Sequence, residues 1–235
     1  MARISAGSAE RLAHDIAGPG PGAALAPELA GWLAGSSRFA AFVETHRSKI
    51  RKKLRTAADA ASVQDVRAEL AFARLVLADR RFEIAFEAYG RRGGPDFTLV
   101  YRSGPSFNVE ITRLRRPPDP EAVANVVLGK LRQLPPGIPN LLVIAVEAEA
   151  ADDLEVGAAI RRLRARADRK DDAFFAFRGI DGTRLFWDRF LRLGGVVAWC
   201  ESASGDLRAT AWLNGSARIA LPAATMGPLL GRLRA

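Results

Sequence analysis

Two segments with alternating apolar and polar side chains, Gly94-Pro95-Asp96-Phe97-Thr98-Leu99-Val100 and Phe107-Asn108-Val109-Glu110-Ile111-Thr112-Arg113, predict a β-hairpin near the middle of this chain. Alternation with a period of two is typical of strands that bury one face. Residues 102–106 connect the two strands. Because Asp96 and Glu110 occupy polar positions of the pattern, the hairpin is expected to present both carboxylates on one face.

The apolar residues also predict how the two strands pair, since burial of one face requires them to lie opposite one another. This pairing makes Asp96 and Glu110 diagonal neighbours, roughly 6–8 Å apart between their Cβ atoms. Carboxylates at such positions can converge on one divalent cation, and oxygen ligands suit Mg²⁺ or Mn²⁺. The predicted pairs are Phe97–Ile111, Leu99–Val109 and Tyr101–Phe107, with Asp96 opposite Thr112 and Thr98 opposite Glu110.

The segments around the hairpin predict an α/β protein. Helical spacing of apolar residues indicates a helix over 62–80, and a strand over 82–89 precedes the hairpin. Asp119-Pro120 opens a further helix that stops at 135–137. The apolar run 140–147 then predicts a strand buried on both faces. The predicted core is therefore a helix, a three-stranded meander, a helix and a strand.

The rest of the chain is expected to surround this core. The first 35 residues are rich in Ala, Gly and Pro, and they predict a loosely attached arm or short helices before a helix from Ser37 to Leu54. Later residues predict a helix and two strands that either surround the sheet or form a homodimer surface. The predicted parts are an N-terminal helical arm over 1–56, the core over 57–150, and a C-terminal α/β extension over 151–235 packed on the same domain.

Composition narrows the classes of function. Cys200 is the only cysteine, which excludes an internal disulfide and a cysteine-based zinc site. His14 and His46 are the only histidines, and their separation in sequence argues against a histidine-dependent catalytic scheme. No run approaches the roughly 20 apolar residues that span a bilayer. The first residues lack the apolar core of a secretory signal, so no membrane association and a cytoplasmic location are expected.

The net charge of the chain is +9, which favours an anionic partner, nucleic acid first, without distinguishing DNA from RNA. An Arg- and Ala-rich composition of the kind that a GC-rich genome produces would give the same excess of positive charge. The charge therefore leaves both interpretations open.

The Pro95-Asp96 … Glu110-Ile111-Thr112 motif, set in the order helix, three strands, helix, strand, resembles the PD-(D/E)XK nuclease superfamily, which has the restriction-endonuclease-like fold. The resemblance covers about residues 60–150. It implies that Asp96 and Glu110 bind one or two Mg²⁺ ions and that the backbone carbonyl of Ile111 can contact metal. It also implies that Glu69, on the preceding helix, joins the metal site.

The chain departs from the motif of this family at one position. Thr112 stands where the family has a lysine that assists the attacking water, and a threonine hydroxyl carries no charge. In this superfamily the lysine can come from the following helix, and Lys130 is the only lysine there. Asp96, Glu110 and Lys130 are therefore the candidate catalytic residues, and Glu69, Asp96 and Glu110 are the candidate metal ligands.

Three functions remain open at this point. The first is a Mg-dependent or Mn-dependent nuclease that hydrolyses phosphodiester bonds. The second is a catalytically degenerate relative that binds nucleic acid or protein, which the replacement of the motif lysine by Thr112 favours. The third sets the resemblance aside: an α/β interaction protein whose own arginines, such as Arg113 or Arg115, neutralise the polar face of the hairpin.

Overall fold

The computed structural model describes residues 4–89, 94–115, 119–146, 155–201 and 206–234. Contacts along the backbone divide the chain into two compact units, residues 1–82 and residues 83–235. We call the first the helical unit and the second the sheet unit. The division into 1–56, 57–150 and 151–235 stays a prediction.

The helical unit packs its first residues more closely than their composition suggested. α1 packs on α2 and α4, and Ile16, Leu29 and Leu33 are fully buried. Of the two predicted alternatives, residues 6–35 therefore form the short helices and not the loosely attached arm. The predicted helix from Ser37 to Leu54 is interrupted at His46. The elements are α1 (Ala6–Ala17), a 3₁₀ turn (Pro21–Leu25), α2 (Ala26–Gly35), α3 (Ser37–Thr45), α4 (Arg47–Thr56) and α5 (Ala60–Leu77).

Six strands form one mixed open sheet in which the spatial order follows the chain order. The second and third strands are antiparallel, the third, fourth and fifth are parallel, and the fifth and sixth are antiparallel. The α/β class predicted from the sequence is therefore confirmed. The strands are β1 (Phe82–Phe86), β2 (Phe97–Tyr101), β3 (Phe107–Arg113), β4 (Asn140–Ala145), β5 (Leu193–Glu201) and β6 (Leu207–Leu213).

Helices of the sheet unit make the crossovers that parallel strands require. One helix connects β3 to β4, three helices connect β4 to β5, and a last helix follows β6. Among the helices in the described ranges, none has the length and apolar composition that crossing a bilayer demands. The helices are α6 (Pro120–Leu131), α7 (Val156–Asp168), α8 (Asp172–Phe177), α9 (Gly182–Phe190) and α10 (Ala223–Arg232).

One face of the sheet is covered by α6, α7 and α9. Leu142 and Ile144, two residues apart on β4, lie in one buried apolar cluster with Val123 and Val127 of α6. Side chains two residues apart on a strand share a face, so this face of the sheet is the one that α6 covers. The position of α6 matters for the site because this helix carries Lys130.

The start of α6 is fixed by an N-terminal cap. Asp119 Oδ1 accepts hydrogen bonds from the backbone N–H groups of Glu121 and Ala122, both at 2.8 Å. Pro120 follows at the first helical position, where its missing N–H is not needed. The sequence signal for this helix was therefore the cap itself.

Asp119→Ala is expected to lower the free energy of unfolding by about 1 kcal/mol, because two N–H groups at the helix start lose their acceptor. Asp119→Asn keeps a side-chain oxygen at the cap and serves as the matched control, with a loss of a few tenths of a kcal/mol at most. Urea denaturation followed by circular dichroism measures both. Equal losses in the two variants would contradict the capping role.

Candidate active site

The hairpin formed by β2 and β3 pairs in a register that differs from the predicted one by two residues. The chain reverses in a tight turn, in which Gly104 N–H donates to the carbonyl of Tyr101 at 2.9 Å. Arg102 and Ser103 have positive φ angles in this turn. Apolar alternation repeats every two residues and cannot distinguish registers that differ by two, so the turn decides between them. The observed partners are Phe97–Val109, Thr98–Asn108 and Leu99–Phe107, in place of the predicted Phe97–Ile111, Leu99–Val109 and Tyr101–Phe107.

The two-residue difference leaves every side chain on its expected face. Thr98 lies opposite Asn108, so the predicted pair of Thr98 with Glu110 is wrong. Asp96 precedes β2, and the same register continued by one residue would set it opposite Glu110 rather than Thr112. Asp96 Oδ2 accepts a hydrogen bond from the N–H of Ile111 at 2.8 Å. That N–H belongs to the peptide group that follows Glu110. The hydrogen bond brings the carboxylate of Asp96 next to the backbone of Glu110.

Asp96 is also held from the side of β1. Its backbone carbonyl accepts a hydrogen bond from the N–H of Glu87, which follows β1, at 2.8 Å. The backbone of Asp96 and one oxygen of its carboxylate are therefore fixed by two different neighbours. This arrangement limits the positions that the carboxylate can take, which is what a binding or catalytic acid requires.

Glu110 lies on β3 with only 3% of its side chain exposed, and it forms an ion pair with Lys130. The distance from Lys130 Nζ to Glu110 Oε1 is 2.7 Å. Lys130 Nζ also donates to Gln133 Oε1 at 3.3 Å. A buried carboxylate needs a positive partner because burial removes its hydration, and Lys130 supplies that charge.

The helical phase of α6 explains why Lys130 reaches the strand. Val123, Val127 and Leu131 repeat every four residues and are fully buried, so they mark the side of α6 that faces the core. Lys130 follows Val127 by three residues and lies beside this stripe, and its side chain is 25% exposed. A lysine at such a boundary position can bury its aliphatic part and direct its ammonium group along the sheet. Sequence reasoning had proposed this lysine from the family resemblance.

A polar network continues the site along the same face of the sheet. Asn108, two residues before Glu110, donates from Nδ2 to Asn140 Oδ1 at 3.1 Å. Thr98 Oγ1 donates to Asn108 Oδ1 at 2.9 Å, and Asn108 Nδ2 also donates to Tyr89 OH at 3.0 Å. Three strands are thereby joined next to Glu110 by side-chain hydrogen bonds.

Asn140 anchors this network to the backbone. Its Nδ2 donates to the carbonyls of Pro135, Ile138 and Arg192 at 2.9, 2.9 and 3.0 Å. Asn108 and Asn140 are both fully buried and are partners in the parallel ladder between β3 and β4. No sequence motif assigns Asn108, Tyr89 or Gln133 to the site. An asparagine at the start of two adjacent buried strands was the one available signal.

Glu69 belongs to the helical unit, on α5. Its Oε2 lies 2.5 Å from Nζ of Lys53, and its side chain is 13% exposed. It is therefore a half-buried acid with a lysine partner. Its membership of the metal site stays a prediction.

The donor set of the sheet unit matches the preference of a hard divalent cation in kind. Asp96 and Glu110 supply carboxylate oxygens from adjacent positions, and such oxygens are the ligands that Mg²⁺ and Mn²⁺ prefer. Within the described ranges, no group of three or more His, Cys, Asp or Glu side chains is arranged to hold a metal ion. A metal at this site would take its remaining ligands from backbone, water and substrate, as Mg²⁺ often does.

Comparison of the chain with protein-family models, with curated proteins and with solved structures gives no match.

Proposed function

We propose that this protein is a divalent-metal-dependent nuclease of the PD-(D/E)XK type whose catalytic lysine comes from α6. The observation that carries the proposal is the 2.7 Å contact of Lys130 with Glu110, while Asp96 is hydrogen-bonded to the peptide after Glu110. The two acids and the lysine of the motif thus lie together around Glu110 on β3. The lysine comes from 20 residues further along the chain than the glutamate.

The order of elements supports the same proposal. A helix, α5, precedes β1, β2 and β3 in the chain, and α6 then leads to β4. β4 is parallel to β3, which is the pairing that a helical crossover produces. This order is consistent with the core that the family resemblance implies. Strands β5 and β6 would then be additions to that core.

Each side chain has a distinct task in the proposed reaction. Asp96 and Glu110 would hold Mg²⁺ or Mn²⁺, which when bound polarises the phosphodiester and the attacking water. Lys130 would donate a hydrogen bond and present positive charge next to the charge that develops on the phosphate. The hydrogen bond from Ile111 N–H orients the carboxylate of Asp96. Thr112, at the motif position of the lysine, lies on the same face of β3 as Glu110 and leaves the charge to Lys130.

A catalytically degenerate nucleic-acid-binding relative is the second candidate. The observation that favours it is the ion pair itself, because Lys130 already neutralises the buried carboxylate of Glu110. A carboxylate with a satisfied charge gains less from binding a cation. Cleavage experiments distinguish this candidate from the nuclease.

Purified protein is expected to cleave at least one of plasmid DNA, single-stranded DNA and RNA in Mg²⁺ or Mn²⁺, and none of them in EDTA. Asp96→Asn is expected to lower the cleavage rate roughly 100- to 1000-fold, since the metal contributes several kcal/mol of transition-state stabilisation. The matched control is Asp188→Asn, because Asp188 is a half-buried acid paired with Arg192 and Arg218 on another part of the sheet unit. This control is expected to cleave at the wild-type rate.

Three outcomes would contradict the nuclease. Binding of nucleic acid without cleavage of any substrate in either metal would favour the degenerate relative. The absence of both binding and cleavage would favour the third candidate, an interaction protein whose own arginines neutralise the polar face of the hairpin. Equal activity of Asp96→Asn and wild type would assign any observed cleavage to a contaminant.

A further inference from the structure

Arginine and phenylalanine side chains alternate along the surface formed by α7, α8 and the residue that follows α8. The guanidinium carbon of Arg166 lies 4.8 Å from the ring centre of Phe174. The guanidinium carbon of Arg178 lies 3.8 Å from the same ring and 5.8 Å from the ring of Phe177. We call these four residues the Arg–Phe ladder. A cation over an aromatic ring is attracted by the negative face of the ring, so these contacts stabilise the alternating arrangement of the side chains.

The two arginines of the ladder are fixed by further hydrogen bonds. Arg178 Nε donates to Asn125 Oδ1 at 2.7 Å, and Arg178 Nη1 donates to the carbonyl of Phe174 at 3.3 Å. Arg166 Nη1 donates to Asp171 Oδ2 at 2.6 Å, and this bond holds the pKa of the Asp171 carboxyl below its usual value. The ladder is therefore preorganised by protein contacts before any partner arrives.

Phe177 stands at the outer end of the ladder with 87% of its surface exposed. The other exposed large apolar residues in the described ranges reach 54% at most, the value of Leu213. A single exposed apolar side chain does not by itself indicate a binding site. Phe177 differs because its ring lies next to the guanidinium of Arg178, which Asn125 fixes, and yet stays almost fully exposed. An open aromatic ring next to a fixed cation is a platform for another planar group.

The charge around the platform is strongly positive. Residues 156–178 contain seven arginines and lysines and three aspartates. Arg161, Arg164, Arg169 and Lys170 are exposed. In the part of the chain that the structure describes, no carboxylate lies within ion-pair distance of these four side chains. The surface therefore offers several exposed positive charges that form no ion pair with the described carboxylates, which suits a polyanion.

We propose that the surface of α7 and α8 binds single-stranded nucleic acid, with a base stacked on Phe177 and phosphates held by the arginines of α7. An unpaired base presents a free face to an aromatic ring, whereas bases within a duplex are covered by their neighbours. The combination of a stacking ring and a basic track is the usual design of single-strand binding surfaces. A protein partner without negative charge would fit the exposed ring but gives no reason for the exposed positive charges.

This inference rests on the proposed function, because it names the substrate class of the proposed nuclease. The link between the two sites is α6. Asn125, which fixes Arg178, and Lys130, which contacts Glu110, lie on this one helix. Their separation of five residues corresponds to about 7.5 Å along the helix axis and about 140° around it. A strand bound on the ladder would therefore reach the carboxylates by passing around α6.

The test measures binding apart from cleavage. Asp96→Asn protein in EDTA is titrated into fluorescein-labelled single strands of about 12 nucleotides, within the site sizes of single-strand binding folds. The single strands are oligo-dT and oligo-U, a labelled duplex of matched length is titrated for comparison, and anisotropy is recorded at several salt concentrations. Phe177→Ala is expected to weaken single-strand binding roughly 5- to 100-fold, the loss that removal of one base–aromatic stack produces. Because Phe177 is exposed, the substitution is expected to leave the circular dichroism spectrum and melting temperature unchanged.

Three further variants sharpen this test. Phe177→Tyr keeps an aromatic face and is expected to bind within about threefold of the parent. Leu213→Ala removes an exposed apolar side chain of β6 and is expected to bind as the parent does. Arg161→Glu is expected to weaken binding and to reduce the slope of log affinity against log salt concentration by at least about 1.

The proposal is overturned if Phe177→Ala binds single strands as tightly as its parent, or if the duplex binds as tightly as the single strands. Self-association that Phe177→Ala abolishes, without oligonucleotide binding, would also overturn it and would assign the ladder to a protein contact. Phe177-dependent binding in a protein that never cleaves supports this inference while the nuclease proposal fails. Cleavage of duplex DNA that is unaffected by Phe177→Ala supports the nuclease proposal while this inference fails.

Discussion

Lys130→Met is expected to lower the rate of phosphodiester cleavage roughly 100- to 1000-fold, the cost of removing one preorganised positive group from a transition state. Methionine keeps much of the length and apolar surface of the lysine stem and removes the charge. Single-turnover cleavage of a labelled substrate in saturating Mg²⁺ measures the rate without a contribution from product release. Under the nuclease proposal, the loss falls on the chemical step rather than on substrate binding.

The same substitution is expected to destabilise the fold, because Glu110 is 3% exposed and would lose its charged partner. Breaking a fully buried pair costs about 3–5 kcal/mol. Since Lys130 is 25% exposed, we expect a loss of about 2 kcal/mol in the free energy of unfolding. The double variant Glu110→Gln with Lys130→Met removes both charges and is expected to recover most of that stability. Rates are therefore compared at a temperature where every variant is folded.

Two variants separate catalysis from charge and folding. Arg192→Met is the matched control, because Arg192 is also 25% exposed and is paired with Asp188 outside the candidate active site. It is expected to cleave at the wild-type rate. Thr112→Lys in the Lys130→Met protein returns a lysine to the motif position and is expected to restore part of the rate. Full activity of Lys130→Met would remove Lys130 from the mechanism, and it would leave the ion pair with a structural role alone.

Asn140→Leu is expected to lower the free energy of unfolding by about 3–5 kcal/mol. Leucine has the same branched side-chain skeleton as asparagine and is larger, so the loss does not come from a cavity. Three backbone carbonyls lose the Nδ2 donor of Asn140, and Asn108 loses its acceptor. A buried polar group that loses its partner costs about 1–3 kcal/mol. Guanidinium denaturation at constant pH measures the change.

Asn214→Leu provides the comparison for this prediction. Asn214 is also buried and donates from Nδ2 to two carbonyls, those of Phe190 and Leu193. Because one carbonyl fewer loses its donor, the variant is expected to lose less stability than Asn140→Leu. A loss at Asn140 that is no larger than the loss at Asn214 would show that the network around Asn108 adds nothing to stability.

Local sequence signals were sufficient to predict α6, β4 and the face of the sheet on which Glu110 lies. The Asp119-Pro120 cap and the spacing of Val123 and Val127 predicted α6, and the apolar run of β4 predicted a strand buried on both faces, as observed. The face of the sheet on which Glu110 lies follows from the alternation of side chains along the strand. A two-residue error in register does not change that face.

Features that depend on a turn without a sequence signal, or on distant residues, could not be predicted from the sequence pattern. The register was set by a turn at Arg102 and Ser103, which lacks the Asn-Gly or Asp-Gly signal of such turns. The close packing of residues 6–35 depends on burial of side chains such as Ile16 and Leu29, which offsets the unfavourable Gly and Pro content. The hydrogen bond of Asn108 with Asn140 requires the parallel pairing of two strands separated by α6.

The amides of Asn108 and Asn140 also bear on how the sheet assembles. β4 has the sequence Asn-Leu-Leu-Val-Ile-Ala, so a misaligned copy of this strand beside β3 would bury almost as much apolar surface as the native alignment. Sliding β4 by two residues would carry each amide into apolar surroundings without the other. The two amides therefore specify the register at the point where both strands begin. They destabilise misaligned sheets more than they stabilise the native one.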